Sequence, residues 1–543
     1  MLLVGLYSDQ YPAAGETHGL SVVAGAIYAH FRDQLHTMRV VDLVAIGSAN
    51  TAAVTNAIAE VQPDILGLSV PYGTYDMLRS LRMEIARLLD RGRCVMAGGV
   101  LPTYIGERLL REIDDRLIVI VGEGEDAAVA VIEEWLHTNT PQRVPNTLTL
   151  LDGIPSAAPR KLVDPSSVPL PYRAHIPDIA ASGAQIFVES SRACSWAACS
   201  FCLRGLTDID GTPREYRRFP IERLLTDLRR LCELGVSAVT FADEDFLGGP
   251  ISEVTHFVHE LVDASTGTPT PTFDVSATIR SIFAERDDPT TRTTKLANLA
   301  ALRQVGLRKV FLGVESGART QLRRYSKGHT PYECVEAARA IVKGGIRVEL
   351  GFIMFDPLCS LNEIVENVRF LLDNDLAEYV SGPTSELRLQ FQSRYLSILH
   401  RAETELGRQL YDRTLDPNTL SYEYTFADPN VAHLAATARA ENERNRALIY
   451  RLKGLTRFGD GTFLGDNTEQ VRELLGSYRR ATLEALATSA QGDVSDYARL
   501  SRDALQSTAK EFVRLVTATG QPNPMVQRAL AVANAYLAPT LTT

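Results

Sequence analysis

The stretch QIFVESSRACSWAACSFC (185–202) decides how this chain is read. QIFVES is an apolar run of strand length, and close behind it Cys194, Cys199 and Cys202 fall within nine residues. The three thiols thus stand on a loop at the carboxyl end of a strand. Soft thiolates so placed can cap three corners of an iron-sulfur cube and leave the fourth iron open to a substrate. Zinc would ask for a fourth ligand, and no histidine follows at zinc-finger spacing.

Downstream, apolar runs keep alternating with amphipathic stretches. AVTFAD (238–243), TFDVSA (272–277), KVFLGV (309–314), RVELGFIMF (347–355) and ELRLQFQ (386–392) read as further strands, with helices such as IERLLTDLRRLCELG (221–235) and YECVEAARAIVKGG (332–345) between them. Six such units predict a partial (β/α)6 barrel of parallel strands over 184–396, with its chemistry at their carboxyl ends.

Upstream, LLVGLY (2–7), MRVVDLV (38–44), DILGLSV (64–70), RCVMAGG (93–99) and LIVIVGEG (117–124) are buried-strand runs separated by helical patterns such as TAAVTNAIAEV (51–61). They predict a separate doubly wound, Rossmann-like domain over 1–138, whose ligand sits at the strand ends. Residues 139–183 are rich in Pro and Ser without a sustained period and read as a connector; from 397 to 543 the chain turns helical and charged. The fold class is therefore α/β with a helical C-terminal domain.

A chain of 543 residues with 45% hydrophobic and 22% charged content is ordinary for a multidomain soluble enzyme. Its net charge of −10 repels nucleic acid and favours a small-molecule or peptide substrate. No segment approaches the roughly 18 uninterrupted apolar residues of a membrane span, and MLLVGLYS lacks the features of a signal peptide, so a cytoplasmic location is expected. Seven cysteines are too few for a disulfide scaffold. Cys232 and Cys334 lie in helical patterns and read as small hydrophobes, whereas Cys94 and Cys359 are isolated.

The cysteine loop, with Phe201 before its last thiol, resembles the cluster-binding loop of the radical S-adenosylmethionine superfamily. One departure is that four residues, Ser195 to Ala198, separate the first two cysteines where the family usually has three. The resemblance implies a [4Fe-4S] cluster on Cys194, Cys199 and Cys202, with S-adenosylmethionine at the open iron and an external electron donor such as flavodoxin or ferredoxin. It puts FADEDFLGG (241–249) where the family contacts the methionine amino group, so Asp243, Glu244 and Asp245 would accept from an ammonium. Ser276 and Arg280 would meet ribose or carboxylate, Glu315 of GVESG the ribose hydroxyls, and Gly313 and Gly317 would admit close backbone approach.

Residues 1 to roughly 375 are similar to the subgroup that carries an N-terminal cobalamin-binding domain. Ser69, then Gly98, Gly99 and Thr103 in AGGVLPT, then Gly122 and Gly124 in VGEGE, would lie against the macrocycle and its nucleotide tail. One family of cobalamin domains offers cobalt a histidine from Asp-x-His-x-x-Gly. Here GETHGLS (15–21) puts His18 near that place, with Glu16 before it and Ser21 where the glycine would stand, and lining the loop is expected ahead of ligating cobalt.

The resemblance implies a cobalamin-dependent methyltransferase acting on an unactivated carbon through a 5'-deoxyadenosyl radical and methylcobalamin. The alternative keeps the radical and drops methylation: cyclisation, ring rearrangement or oxidation, with cobalamin auxiliary or absent. Methylthiolation is disfavoured, because relatives that perform it carry three more cysteines in the first domain and this chain has only Cys94 there. A sensor that only reports through its cluster would have no need of acids to cradle a methionine.

Overall fold

The computed structural model of the chain describes residues 1–139, 144–151, 153–203, 216–267, 269–457, 464–517 and 524–538. Parts of the stretch read as a connector (140–143 and 152) and of the helical C-terminal region (458–463, 518–523 and 539–543) therefore lie outside the described residues.

The first five apolar runs form the strands Leu2–Gly5, Arg39–Asp42, Ile65–Ser69, Cys94–Gly98 and Ile118–Ile120, all parallel, in the spatial order second, first, third, fourth, fifth. Both faces are covered, which is why the runs are apolar without alternating with polar residues. Leu2, Val4, Leu66, Leu68, Val95 and Ala97 enter one core, while Leu3, Ile65, Cys94 and Met96 enter the other. The strand order reverses beside Leu2–Gly5, opening a crevice at the carboxyl ends of the strands. Part of the expected connector extends this sheet. Thr147–Leu151 and Ile154–Ala157 add an antiparallel hairpin at its edge, turning at Gly153.

A second sheet holds Phe187–Val188, Ala238–Phe241, Thr272–Ala277, Leu307–Glu315 and Arg347–Phe352, parallel and in sequence order as an open barrel. The sixth expected strand is only partly realised. Val380 and Glu386 make isolated parallel bridges to Leu350 and Phe355, with Pro383 between them unable to donate to a ladder. Within ELRLQFQ, Leu389–Gln390 pairs instead with Ser421–Tyr422, antiparallel.

The C-terminal helices Pro429–Arg457, Thr468–Gln491 and Tyr497–Thr517 pack on one another, and the second of them also packs on the barrel helix Leu361–Asp373. A loop reaches back from this region to the first domain. Gly73 donates its backbone N–H to the carbonyl of Asn418 (2.7 Å), Tyr75 donates its own to the Asn418 side chain (3.0 Å), and Leu420 is buried in the first domain's core. Among the described residues no helix is long and apolar enough to cross a membrane.

Candidate active site

The carboxyl ends of the first sheet face the first barrel strand across an open cavity of about 440 Å³. Ser69, Gly98, Gly99, Thr103, Gly122 and Gly124 line one wall. The opposite wall belongs to the barrel and contains Glu189, Ser191, Arg192, Ala193 and Glu244. Gly99 has φ of +106°, and a Cβ there would come 3.2 Å from the Val70 backbone, so that strand end can only be bare. Thr103 ties two of the bare ends together: its hydroxyl donates to Gly99 O (2.8 Å) and accepts from Gly122 N (2.9 Å). A shelf of exposed backbone over an apolar floor of Leu3, Met96 and Ile120 fits a broad, flat macrocycle such as cobalamin.

His18 opens the helix His18–Phe31 and lines the cavity. Its two ring nitrogens stand 3.7 Å from Glu16 and 3.9 Å from Glu189, and neither makes a hydrogen bond. Burial would raise the Glu189 carboxyl, but Arg192, His18 and Arg223 hold it down at about 2. It stays ionised. Arg192 reaches across the seam as well, donating to Glu125 and standing 3.4 Å from Glu123. Arg217 also donates to Glu123 (2.6 Å). The two domains are thus held together by ion pairs that border the cavity.

Two residues after Arg192 the cysteine loop begins. Ala193 and Ala197 take left-handed backbone (φ 65° and 47°), which curls the loop around its thiols, and the backbone N–H groups of Trp196 and Ala197 point at the Cys194 sulfur. Burial pushes the Cys194 thiol up and the Cys199 thiol up to about 11, so both await a cationic partner before ionising. Among the described residues no three His, Cys, Asp or Glu converge as ligands of one ion. Three thiols that cap separate corners of a cube stand farther apart than that, and the donor set fits such a cluster. The remaining cysteines lie elsewhere: Cys94, Cys334 and Cys359 are buried, and Cys232 bonds to Pro269 O.

The expected S-adenosylmethionine contacts occupy the strand ends around this loop in different ways. Asp243 is buried and accepts from Ser190 N (2.9 Å), Ser190 Oγ (2.5 Å) and Ser191 Oγ (2.6 Å). Asp245, also buried, accepts from Thr278 N (3.1 Å), Ser281 Oγ (2.7 Å) and the hydroxyl of Ser195. Asp245 braces the cysteine loop and Asp243 the strand end that leads into it, leaving Glu244 as the one of these three acids that lines the cavity. Ser276 is half-buried on Thr272–Ala277, and its carbonyl accepts from Phe246 N (2.9 Å). Arg280 stacks on Trp196 at 3.7 Å and donates to Gly328 O. Glu315 ends its strand at φ 68° and pairs with Lys327 at 3.3 Å. A Cβ on Gly313 would meet that Glu315 carboxylate at 2.9 Å, and one on Gly317 would meet the Phe370 ring at 2.3 Å, so packing within the chain takes up the space at both. Phe201 packs edge-on to Tyr325 at 5.4 Å.

Sequence reasoning missed Arg192, Glu189, Glu123 and Lys327. Glu123 sits inside VGEGE and Arg192 two residues before the first cysteine, so proximity to both motifs was the available signal. For Lys327 there was none.

Comparison with known proteins agrees with this geometry. The B12 binding domain family matches residues 10–132 and the Radical SAM superfamily residues 188–371. The 4'-phospho-dehydrooxetanocin synthase of Priestia megaterium is 26% identical over 377 residues, which are 66% of this chain and 49% of that protein. The chain therefore spans about half the length of that relative. The cobalamin-dependent S-adenosylmethionine radical enzyme OxsB, solved with aqua-cobalamin bound, superposes with a TM-score of 0.80 at 18% identity, covering 99% of this chain and 83% of its own. The radical S-adenosylmethionine methyltransferase TsrM from Kitasatospora setae, solved with cobalamin and a [4Fe-4S] cluster, gives 0.62 at 14% identity over 90% of this chain and 98% of its own. At such identities the likeness is one of fold.

Proposed function

We propose that the chain, whose domains match the B12 binding and Radical SAM families, is a cobalamin-dependent radical S-adenosylmethionine enzyme that transfers a methyl group to an unactivated carbon of a small molecule or peptide. The observation that carries this reading is the shared cavity: Ala193, the neighbour of Cys194, lies on the wall opposite the glycine shelf. When bound, the cluster supplies reductive cleavage of S-adenosylmethionine and cobalamin supplies a transferable methyl group. The residues of the chain hold these two chemistries side by side. Cys194, Cys199 and Cys202 hold the cluster. Asp245 fixes the loop that presents it and Asp243 the strand end that leads into that loop, and Glu244, Ser276, Arg280 and Glu315 stand where they can orient S-adenosylmethionine. Gly98, Gly99, Gly122, Gly124, Ser69 and Thr103 bed the corrin, and the ion pairs of Arg192 and Arg217 tie the two domains together beside it.

An acidic chain whose seven cysteines are unpaired suits a reducing cytoplasm, where flavodoxin or ferredoxin would supply the electron. Methyl transfer of this kind uses S-adenosylmethionine twice, so each methyl delivered should leave both 5'-deoxyadenosine and S-adenosylhomocysteine in comparable amounts. Chromatography of anaerobic reactions with candidate substrates reads both. Substrate-dependent 5'-deoxyadenosine without S-adenosylhomocysteine would end the methyltransferase reading.

A second reading has a specific observation in its favour. The relative from Priestia megaterium is named a synthase rather than a methyltransferase. A radical rearrangement or oxidation of a small molecule would use the same cavity and the same thiols, and would produce that second pattern of by-products.

A further inference from the structure

The segment Arg324–His329 lies against the cysteine loop from the far side of the barrel. Ser200 donates its backbone N–H to Tyr325 O (2.9 Å) and its hydroxyl to Arg324 O (2.8 Å). Trp196 donates its indole N–H to Ser326 O (2.9 Å), and Arg280, stacked on the same indole, donates to Gly328 O. Gly328, at φ 65°, has no room for a side chain: a Cβ would stand 2.4 Å from the Trp196 ring. Three bonds from the loop, one from Arg280 and one close approach hold the strap in register with the loop.

The strap turns Lys327 toward the cysteine loop, while Arg324 at its start is taken up by Asp356 (2.8 Å) and Glu363 (3.0 Å). Lys327 is 8% exposed. Its ammonium is 3.3 Å from Glu315, 6.0 Å from the Phe201 ring centre and within electrostatic reach of the Cys199 thiol. Burying an ammonium is costly, and its partner Glu315 sits at a left-handed backbone position that few such residues adopt. Nearby, His329 is held neutral by burial and by Lys327, its pKa lowered to about 3, so it adds no charge of its own.

We propose that Lys327, balanced by Glu315, is a positioning charge that sets the reduction potential of the cluster held by Cys199 and its two neighbours. This rests on the assignment of the cluster to those thiols and is independent of which reaction follows. Reduction adds one electron, taking the cluster from its 2+ to its 1+ state, and a fixed cation beside a ligating sulfur favours the more negative product. Removing the cation should lower the potential. Removing Glu315, which offsets the cation, should raise it.

The test is an anaerobic redox titration of the reconstituted full-length protein without S-adenosylmethionine. Electrons come from dithionite through viologen mediators, and the reduced cluster is counted by electron paramagnetic resonance against measured iron. Lys327→Met should shift the midpoint to more negative values, so that at the wild-type midpoint the reduced-to-oxidised ratio falls roughly threefold or more. Lys327→Arg should restore it, and Glu315→Gln should shift it the opposite way. A Lys327→Met protein with full iron and an unmoved midpoint would overturn the proposal. Should that variant lose its iron, Glu315→Gln decides on an intact lysine: an upward shift supports the proposal and no shift overturns it. A wild-type protein that binds no cluster would instead overturn the cysteine assignment beneath it.

Discussion

Arg192 of the barrel donates to Glu125, the first residue of the helix Glu125–Thr138 in the other domain. The same guanidinium bonds Glu189 on its own side (3.1 Å), so a single side chain joins the glycine shelf to the strand that leads into the cysteine loop. Glu125 has only 4% of its side chain exposed and Arg192 18%. At that burial the pair is screened little by water, and removing one partner leaves the other uncompensated.

Arg192→Met should therefore cost on the order of 2–3 kcal/mol of stability and loosen the wall shared by the two domains. The expected readouts are a lower Tm and a reduced corrinoid-to-protein ratio after desalting, with iron content preserved. Full corrinoid retention in the variant would show that the seam does not hold the cofactor.

His18 allows a sharper test of the cobalt environment. Its ring stands between two carboxylates at 3.7 and 3.9 Å while facing the cavity. If it lines the loop and does not ligate cobalt, His18→Ala should leave the absorption spectrum and affinity of bound cobalamin nearly unchanged. Loss of a true axial imidazole would move both, and a clear spectral change on this one substitution would reverse the reading.

Much of this architecture was legible because the signals were local. QIFVES, AVTFAD and KVFLGV are apolar runs of strand length between helical periods, and three cysteines in nine residues need no tertiary information to be noticed. What escaped depended on contacts distant in sequence. The edge hairpin at 147–157 hides in a Pro-rich stretch, and Leu389–Gln390 follows an apolar pattern but takes a partner about thirty residues away in Ser421–Tyr422. Asp243 and Asp245 looked like open acceptors because a sequence does not show that Ser190, Ser195 and Ser281 will claim them. Lys327 is one cation among 56 until the strap brings it to Cys199.

Replacing Cys194, Cys199 and Cys202 together by Ala should abolish cluster iron and all cleavage of S-adenosylmethionine, since no other three thiols of the chain are neighbours in sequence. Cys334→Ala and Cys232→Ala should leave the iron-to-protein ratio at the wild-type value, the first with a lower Tm from the small cavity it creates in the barrel core. Iron analysis after anaerobic reconstitution decides. A full cluster in the triple variant would place it elsewhere.

Asp243 links the cysteine loop to pH. Burial pushes its carboxyl from the ordinary 3.8 up to about 6, even though Ser190 and Ser191 donate to it. A raised value means that the folded protein keeps a proton which the unfolded chain has already released. The stability this lends is complete below 3.8 and is lost as the pH rises through 6. Asp243→Asn offers an amide that does not titrate while keeping one acceptor oxygen for the two serines. Between about pH 5 and 7 the Tm of the wild-type apoprotein should therefore fall relative to that of the variant, and the gap between them should level off above the window. Parallel Tm curves for the two proteins across that range would show that Asp243 titrates as it does in water and does not couple the loop to pH.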